Sequence, residues 1–384
     1  MNYKKDTVIA QVGLIKDEQY GAISTPLYHS ATFRHPGVGQ TTGFDYARTS
    51  NPTRLQLEMA VAKLEEGVSG FAFPTGMAAI HTVLGLFKSG DHILLSEDLY
   101  GGTYRLLKQH LNLYGIEADF VDTTNLASIE SSWKDHTRGL LIETPSNPLM
   151  RITNLHACIQ LCKIRKALCI VDNTFMTPYY QTPLTLGADI VVHSGTKYLA
   201  GHNDLLAGIA VAKDAQLAER IGFIQNTTGA VLSASDSWLL IRSLKTLGLR
   251  LERQTRNAQK IAEWATTEGA AWIENVYYPG LENHPGYEIH KTQSLASGAM
   301  ISIRLKEEAV AIRLLENLQV FSFAESLGGV ESLITIPSRQ THGDMPEEYR
   351  QRLGITDGLL RISAGIEDAD DLIGDLRQAI EKSI

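Results

Sequence analysis

Two short apolar runs, each leading to a polar site, constrain this chain most. Leu168-Cys169-Ile170-Val171 closes on Asp172, and Ile190-Val191-Val192 leads through Ser194-Gly195-Thr196 to Lys197. Each run is rich in β-branched residues and bounded by polar ones, so each predicts a buried strand ending at a site. Similar runs lie at 71–73, 93–95, 118–121, 140–142 and 206–211. Helical spacing separates most of them: Leu57, Ala60, Val61 and Leu64 mark a helix over 53–65, and Met77, Ile80, Leu84 and Phe87 mark another. Strands alternating with helices imply a mostly parallel sheet covered on both faces. In such sheets ligands sit beyond the carboxyl ends of the strands.

A chain of 384 residues exceeds one ordinary core, so more than one domain is expected. Residues 1–46, rich in Gly, Thr, Ser and Pro, read as an extended arm with a short first helix. The α/β pattern spans 47–243. A long helix is expected from Asp236, with Leu240, Leu244, Leu247 and Leu251 as its apolar stripe. It connects to a smaller α+β domain over 244–384, with strands at 299–303, 333–336 and around 360–362. The formal net charge of -8 argues against a nucleic-acid binder. The N-terminal stretch reads as no secretory signal, and no segment reaches the length of a membrane span, so a cytoplasmic location is expected. Cys158, Cys162 and Cys169 read as apolar filler rather than as a metal site, and no metal is expected.

An acid at one strand end and a lysine flanked by hydroxyls after the next suit pyridoxal phosphate. The lysine forms a Schiff base, the aspartate pairs with the pyridinium nitrogen, and the hydroxyls hold the phosphate. Taken alone, the pair also fits a buried ion pair that only orders two loops. Other segments join it. Thr75-Gly76-Met77, between a strand and a helix, lets the backbone approach a phosphate. Tyr100, in Leu99-Tyr100-Gly101-Gly102-Thr103, can stack on a flat ring. Asn147, held between Pro145 and Pro148, can present its amide to a ring hydroxyl. Arg361, in the apolar run Leu360-Arg361-Ile362, calls for an anionic partner, either a substrate carboxylate or a structural acid. A dinucleotide fold lacks its glycine fingerprint, and Gly195-Thr196-Lys197 does not have the order of a P-loop.

These motifs occur in one order along almost the whole chain. They are Asp45-Tyr46-Ala47-Arg48 with Asn51-Pro52-Thr53, Thr75-Gly76-Met77, Tyr100-Gly101-Gly102-Thr103, Glu143-Thr144-Pro145-Ser146-Asn147-Pro148, Val171-Asp172-Asn173-Thr174-Phe175 and His193-Ser194-Gly195-Thr196-Lys197-Tyr198. Glu325-Ser326-Leu327-Gly328-Gly329-Val330 and Leu360-Arg361-Ile362-Ser363 follow near the C-terminus. In this the chain resembles the pyridoxal-phosphate enzymes of transsulfuration, the cystathionine γ-synthase and lyase family. The resemblance implies a fold-type-I α/β enzyme, a homotetramer built from dimers with shared active sites, and small amino-acid substrates. It implies that Lys197, Asp172 and Tyr100 are the catalytic set, as Schiff-base lysine, pyridinium partner and stacking ring. Gly76, Met77, Ser194 and Thr196 match the phosphate cup, and Tyr46 and Arg48 match residues that reach the neighbouring subunit's phosphate. Asn147 matches a cofactor contact, Arg361 and Ser326 match binders of the substrate α-carboxylate, Glu325 matches a glutamate of γ-carbon chemistry, and Arg105 falls near the distal end of the substrate.

Within the family, the segments at 34–46 and 201–208 resemble the bacterial γ-synthase branch that also uses sulfide, with O-acetylhomoserine (thiol)-lyase activity. Gly102 stands where methionine γ-lyases place a reactive cysteine. The reaction implied is γ-replacement on an O-acylhomoserine by cysteine or sulfide, in methionine biosynthesis. The alternative is a γ- or β-lyase, or a methionine γ-lyase, that degrades sulfur amino acids.

Overall fold

The computed structural model of the chain describes residues 3–14 and 20–384. Seven strands form one sheet: β1 (Ser69–Phe73), β2 (His92–Ser96), β3 (Glu117–Val121), β4 (Thr137–Glu143), β5 (Leu168–Asp172), β6 (Ile190–Ser194) and β7 (Gly208–Ala212). Their order across the sheet is β1-β7-β6-β5-β4-β2-β3. Only β7, between β1 and β6, runs antiparallel to its neighbours. Side chains alternate between two cores. Leu140, Ile142, Cys169, Val171 and Val191 pack on one face of the sheet, and Leu141, Ile170, Ile190 and Val192 on the other. Both faces are covered, which is why these strands read as continuous apolar runs. All three cysteines are buried and unbridged in the first core.

Five further strands make a smaller sheet: β8 (Ile273–Tyr277), β9 (Met300–Leu305), β10 (Ser322–Phe323), β11 (Leu333–Thr335) and β12 (Leu359–Ser363), in the order β10-β11-β12-β9-β8. The helix Leu247–Thr266 packs against β8, β9 and the last helix, Ala369–Glu381. Its position places β12 opposite the carboxyl edge of the large sheet. Among the described residues, no helix is long and apolar enough to cross a membrane.

The structure departs from the sequence expectation in three places. The helix expected from Asp236 is two helices, Ala234–Leu244 and Leu247–Thr266. The Ser243 carbonyl accepts the Thr246 N–H, three residues on, at 3.2 Å, Arg250 Nη2 adds a donor at 3.1 Å, and the chain turns at 245–246. The strand expected over 206–211 begins only at Gly208, which lies tight on Thr75: a Cβ there would meet the Thr75 carbonyl oxygen at 2.1 Å. Leu206 lines a cavity instead. Strands β8 and β10 carry too many exposed polar positions to stand out as apolar runs.

One carboxylate fastens the smaller domain. Asp375, only 4% exposed, accepts from the backbone N–H groups of Gln319, Val320 and Phe321 at 2.8–2.9 Å. Its removal leaves the N–H of buried Phe321 unpaired, while those of exposed Gln319 and Val320 can turn to water. Asp375→Ala is expected to lower stability by about 1–3 kcal/mol, the cost of one buried group left unpaired. Exposed Glu381→Ala on the same helix is expected to change it by less than about 0.5 kcal/mol. Urea midpoints of the two variants check this.

Candidate active site

Five loops at the carboxyl edge of the large sheet, with segments of the smaller domain, enclose a cavity of about 330 Å³. The parallel strands deliver them side by side. Thr75-Gly76-Met77 follows β1 and Tyr100 follows β2, while Glu143, Asp172 and Ser194 close β4, β5 and β6 and lead on to Asn147, Phe175 and Lys197. Glu325, Ser326, Thr341 and Arg361 close the cavity from the other side. Of the residues singled out in the sequence, Gly76, Met77, Tyr100, Asn147, Asp172, Ser194, Thr196, Lys197, Glu325, Ser326 and Arg361 line this one cavity.

Lys197 Nζ donates to Ser326 Oγ at 2.9 Å. Burial, reinforced by the Arg361 charge, lowers its pKa to about 8, with Glu325 opposing the shift. Its amine is therefore partly neutral near neutral pH. Ser326 has φ 84°, in the left-handed region that serine rarely adopts. That conformation lets its carbonyl accept from Arg361 Nη2 at 2.8 Å while its hydroxyl meets Lys197. Backbone strain of this kind, ~1–3 kcal/mol, marks functional sites.

Arg361 sits in β12 at 2% exposure. Its Nη1 donates to Asn147 Oδ1 at 2.8 Å, and its Nε finds no partner. Burial pulls its pKa down to about 10. A buried guanidinium is ordinarily paired with an acid. Among the described residues no carboxylate lies within ion-pair distance of Arg361; the acids near enough to act on it, Glu143 and Glu325, do so only through space. The charge is thus held ready for an anion that enters the cavity.

The remaining residues fit pyridoxal phosphate. Asp172 accepts twice on Oδ1, from the Thr174 N–H at 3.0 Å and the Thr174 hydroxyl at 2.5 Å. Burial raises its pKa, and a cationic ring nitrogen would offset that cost. At Gly76 a Cβ would lie 3.1 Å from Ser194 Cα and Cβ, so glycine permits a close backbone approach. Gly76 opens the helix Gly76–Leu84, capped by Thr75, whose hydroxyl accepts from the Ala78 N–H at 3.0 Å. The first N–H groups of that helix border the cavity, as an anion site requires. Ser194 makes no side-chain hydrogen bond among the described residues and is free to donate. The Thr196 hydroxyl, by contrast, donates to the Ala207 carbonyl at 3.2 Å and accepts from the Ala207 N–H at 2.9 Å, so it shapes the loop. With Oδ1 on Arg361, Asn147 keeps its amide N–H groups for the ring.

Three candidates lie elsewhere. Tyr46 and Arg48 border a separate surface cleft with His29, Asn51 and Gly229. Arg48 donates there to the Asn226 carbonyl at 2.7 Å. Arg105 is paired with Asp344 and does not line the cavity. Sequence reasoning assigned no role to Thr174, which fixes Asp172, or to fully buried His342. The His342 Nε2–H donates to the Asn147 carbonyl at 2.9 Å, and burial drops its pKa to about 3, so the ring is neutral. The threonine two residues after a strand-end aspartate was a usable signal. The histidine, far away in sequence, gave none.

Comparison with known proteins gives the same cofactor. The family model of the Cys/Met metabolism PLP-dependent enzymes matches residues 6–381. Relatives include the cystathionine γ-lyase of Bacillus subtilis, 51% identical over 98% of this chain and 99% of its own length. They also include a cystathionine β-lyase of Lactococcus lactis, 49% identical over 98% of each chain. A crystal structure of cystathionine γ-synthase from Xanthomonas oryzae, in complex with aminoacrylate and cysteine, superposes with a TM-score of 0.97 at 41% identity, covering 100% of this chain and 99% of that one.

The geometry of Arg361 yields a test. A lysine cannot reproduce the fork or fill the position. Arg361→Lys is expected to weaken amino-acid binding by about 1–3 kcal/mol, the scale of a charged hydrogen bond. Cofactor affinity is expected to stay nearly unchanged. Spectral titrations with substrate and with cofactor measure both, and loss of the cofactor alone would overturn the assignment.

Proposed function

This chain belongs to the Cys/Met metabolism PLP-dependent enzyme family, and from that premise we propose that it joins an O-acylhomoserine to a thiol. Cysteine gives cystathionine, and sulfide gives homocysteine. In this replacement the Cγ–O bond breaks, the Cγ–S bond forms, and the thiol proton leaves with the carboxylic acid. Bound PLP supplies the electron sink for the pair left when the α-proton departs.

The chain's own groups then divide the work. Arg361 holds the α-carboxylate, with Ser326 beside it. Lys197 Nζ, its pKa lowered to about 8 by burial and Arg361, would take the α-proton, return it to the bound substrate, and, neutral again, take a β-proton. Asp172, braced by Thr174, would keep the ring nitrogen protonated, and Tyr100 would stack on the ring. Gly76, Met77 and Ser194 would hold the phosphate.

The observation that carries a reaction with a second amino-acid moiety is Glu325. It lines the cavity yet is exposed, and its charge acts on Lys197 and Arg361. A carboxylate at the mouth suits a second ammonium group, that of incoming cysteine in replacement or of the distal end of cystathionine in cleavage. Gly102 adds support. A Cβ there would meet the Tyr100 ring at 2.5 Å and Met77 Sδ at 3.0 Å, so the reactive cysteine of methionine γ-lyases has no space. Lyase cleavage of cystathionine is the second reading, because the relatives at 51% and 49% identity carry lyase names.

Shared sites in a homotetramer of dimers belong to the same proposal. The separation of Tyr46 and Arg48 from their own chain's cavity supports it, as do the exposed Ile23, Leu27 and Tyr28 of the arm. The division of the chain into arm 1–46, cofactor domain 47–243 and smaller domain 244–384 is part of the same proposal.

Steady-state rates test the chemistry. Acetyl- and succinylhomoserine are supplied with cysteine or sulfide, and cystathionine is supplied alone. Replacement is expected to exceed cleavage in kcat/KM by roughly tenfold or more, about 1.4 kcal/mol of barrier. An excess of cleavage, with 2-oxobutyrate or pyruvate as main product, would make the enzyme a lyase.

A further inference from the structure

Glu143 closes β4 beside Asp172, its registered neighbour on β5, and the replacement chemistry leaves it without a task. Its side chain lines the cavity at 8% exposure. The Tyr100 backbone N–H donates to Glu143 Oε2 at 3.0 Å, and the Asn147 backbone N–H lies near the same carboxyl group. Those two residues carry the stacking ring and the ring-facing amide. Each stands on a loop: Tyr100 precedes the short helix Gly101–Arg105, and Asn147 lies between two prolines. Glu143 stands on the sheet, its own N–H donating to Ser96 Oγ at 3.2 Å. Of these three, only Glu143 belongs to a strand, so it offers the Tyr100 loop a fixed point.

The charged groups that face Glu143 are Asp172, Asp98 and, across the cavity, Arg361. Burial first, and then the Asp172 charge, push its pKa well above the carboxylate range. Both carboxyl oxygens carry lone pairs, so the group can receive N–H donors on either side.

We propose that Glu143 is a positioning residue: by accepting from the backbone N–H of Tyr100 and standing against that of Asn147, it sets how ring and amide meet the bound cofactor. This rests on the cofactor of the family and not on the choice of synthase over lyase. Its test therefore reads the cofactor. Glu143→Gln keeps the size of the side chain but turns one acceptor oxygen into an NH2 donor beside the two N–H groups. Glu143→Ala removes both acceptors and leaves space for formate, which restores them.

In the holoenzyme, Glu143→Gln is expected to retain cofactor affinity within about threefold while kcat falls by about tenfold or more, the scale of a misplaced group. The visible circular dichroism of the bound cofactor is expected to weaken in parallel, with the melting temperature little changed. Added formate is expected to return part of the dichroism and rate to Glu143→Ala. A Glu143→Gln enzyme with parental dichroism and kcat would overturn the proposal. So would dichroism lost only in proportion to a fall in melting temperature, or a folded Glu143→Ala that formate leaves unchanged. Should Glu143→Ala fail to fold, Glu143→Gln decides alone.

Discussion

The Arg361 guanidinium is a full positive charge in the middle of a strand, at 2% exposure, without an acid in contact. Much of the site exists to hold that charge without neutralising it. Asn147 turns its oxygen to it, and Ser326 takes a strained φ to offer a carbonyl. His342, kept neutral by burial, anchors Asn147 from behind and adds no competing charge. A structural carboxylate in contact would be more stable and would close the site to an incoming one. The open Nε and the fork beside it are the form that a substrate carboxylate recognises.

The same charge links the two halves of the molecule. Arg361 belongs to the smaller sheet and Asn147 to a loop of the large one, so their hydrogen bond crosses the cavity wall. The other wall is the carboxyl edge of parallel strands, where Glu143, Asp172 and Ser194 emerge side by side. Lys197 lies between these walls and feels both. Burial and Arg361 lower its pKa, and Glu325 partly opposes them. A base poised near neutrality follows from that balance.

Most of this was legible in the sequence where one-dimensional pattern and three-dimensional role coincide. The strands around Ile142, Val171 and Val192 are buried on both faces, so their runs stand out, and the polar residue that ends each run lies at the site. Asp172 and Lys197 were found in that way. Arg361 was found because a charge in an apolar run is anomalous. The break at 245–246 was hidden, because the leucine stripe continues through it and only the Arg250 side chain reveals the turn. Edge strands β8 and β10 were hidden by their polar faces. Glu143 carried no visible role because its partner is a backbone N–H, which leaves no trace in side-chain identity. The commitment of Thr196 to Ala207 was hidden for the same reason.

The central claim is that one lysine in this cavity carries the cofactor, between Asp172 and Arg361. Borohydride reduction of the holoenzyme, proteolysis and mass spectrometry test it most directly. The account predicts the reduced phosphopyridoxyl group on the peptide that contains Lys197, and no fixed cofactor in Lys197→Ala. Label on another lysine, or label that survives Lys197→Ala, would contradict it.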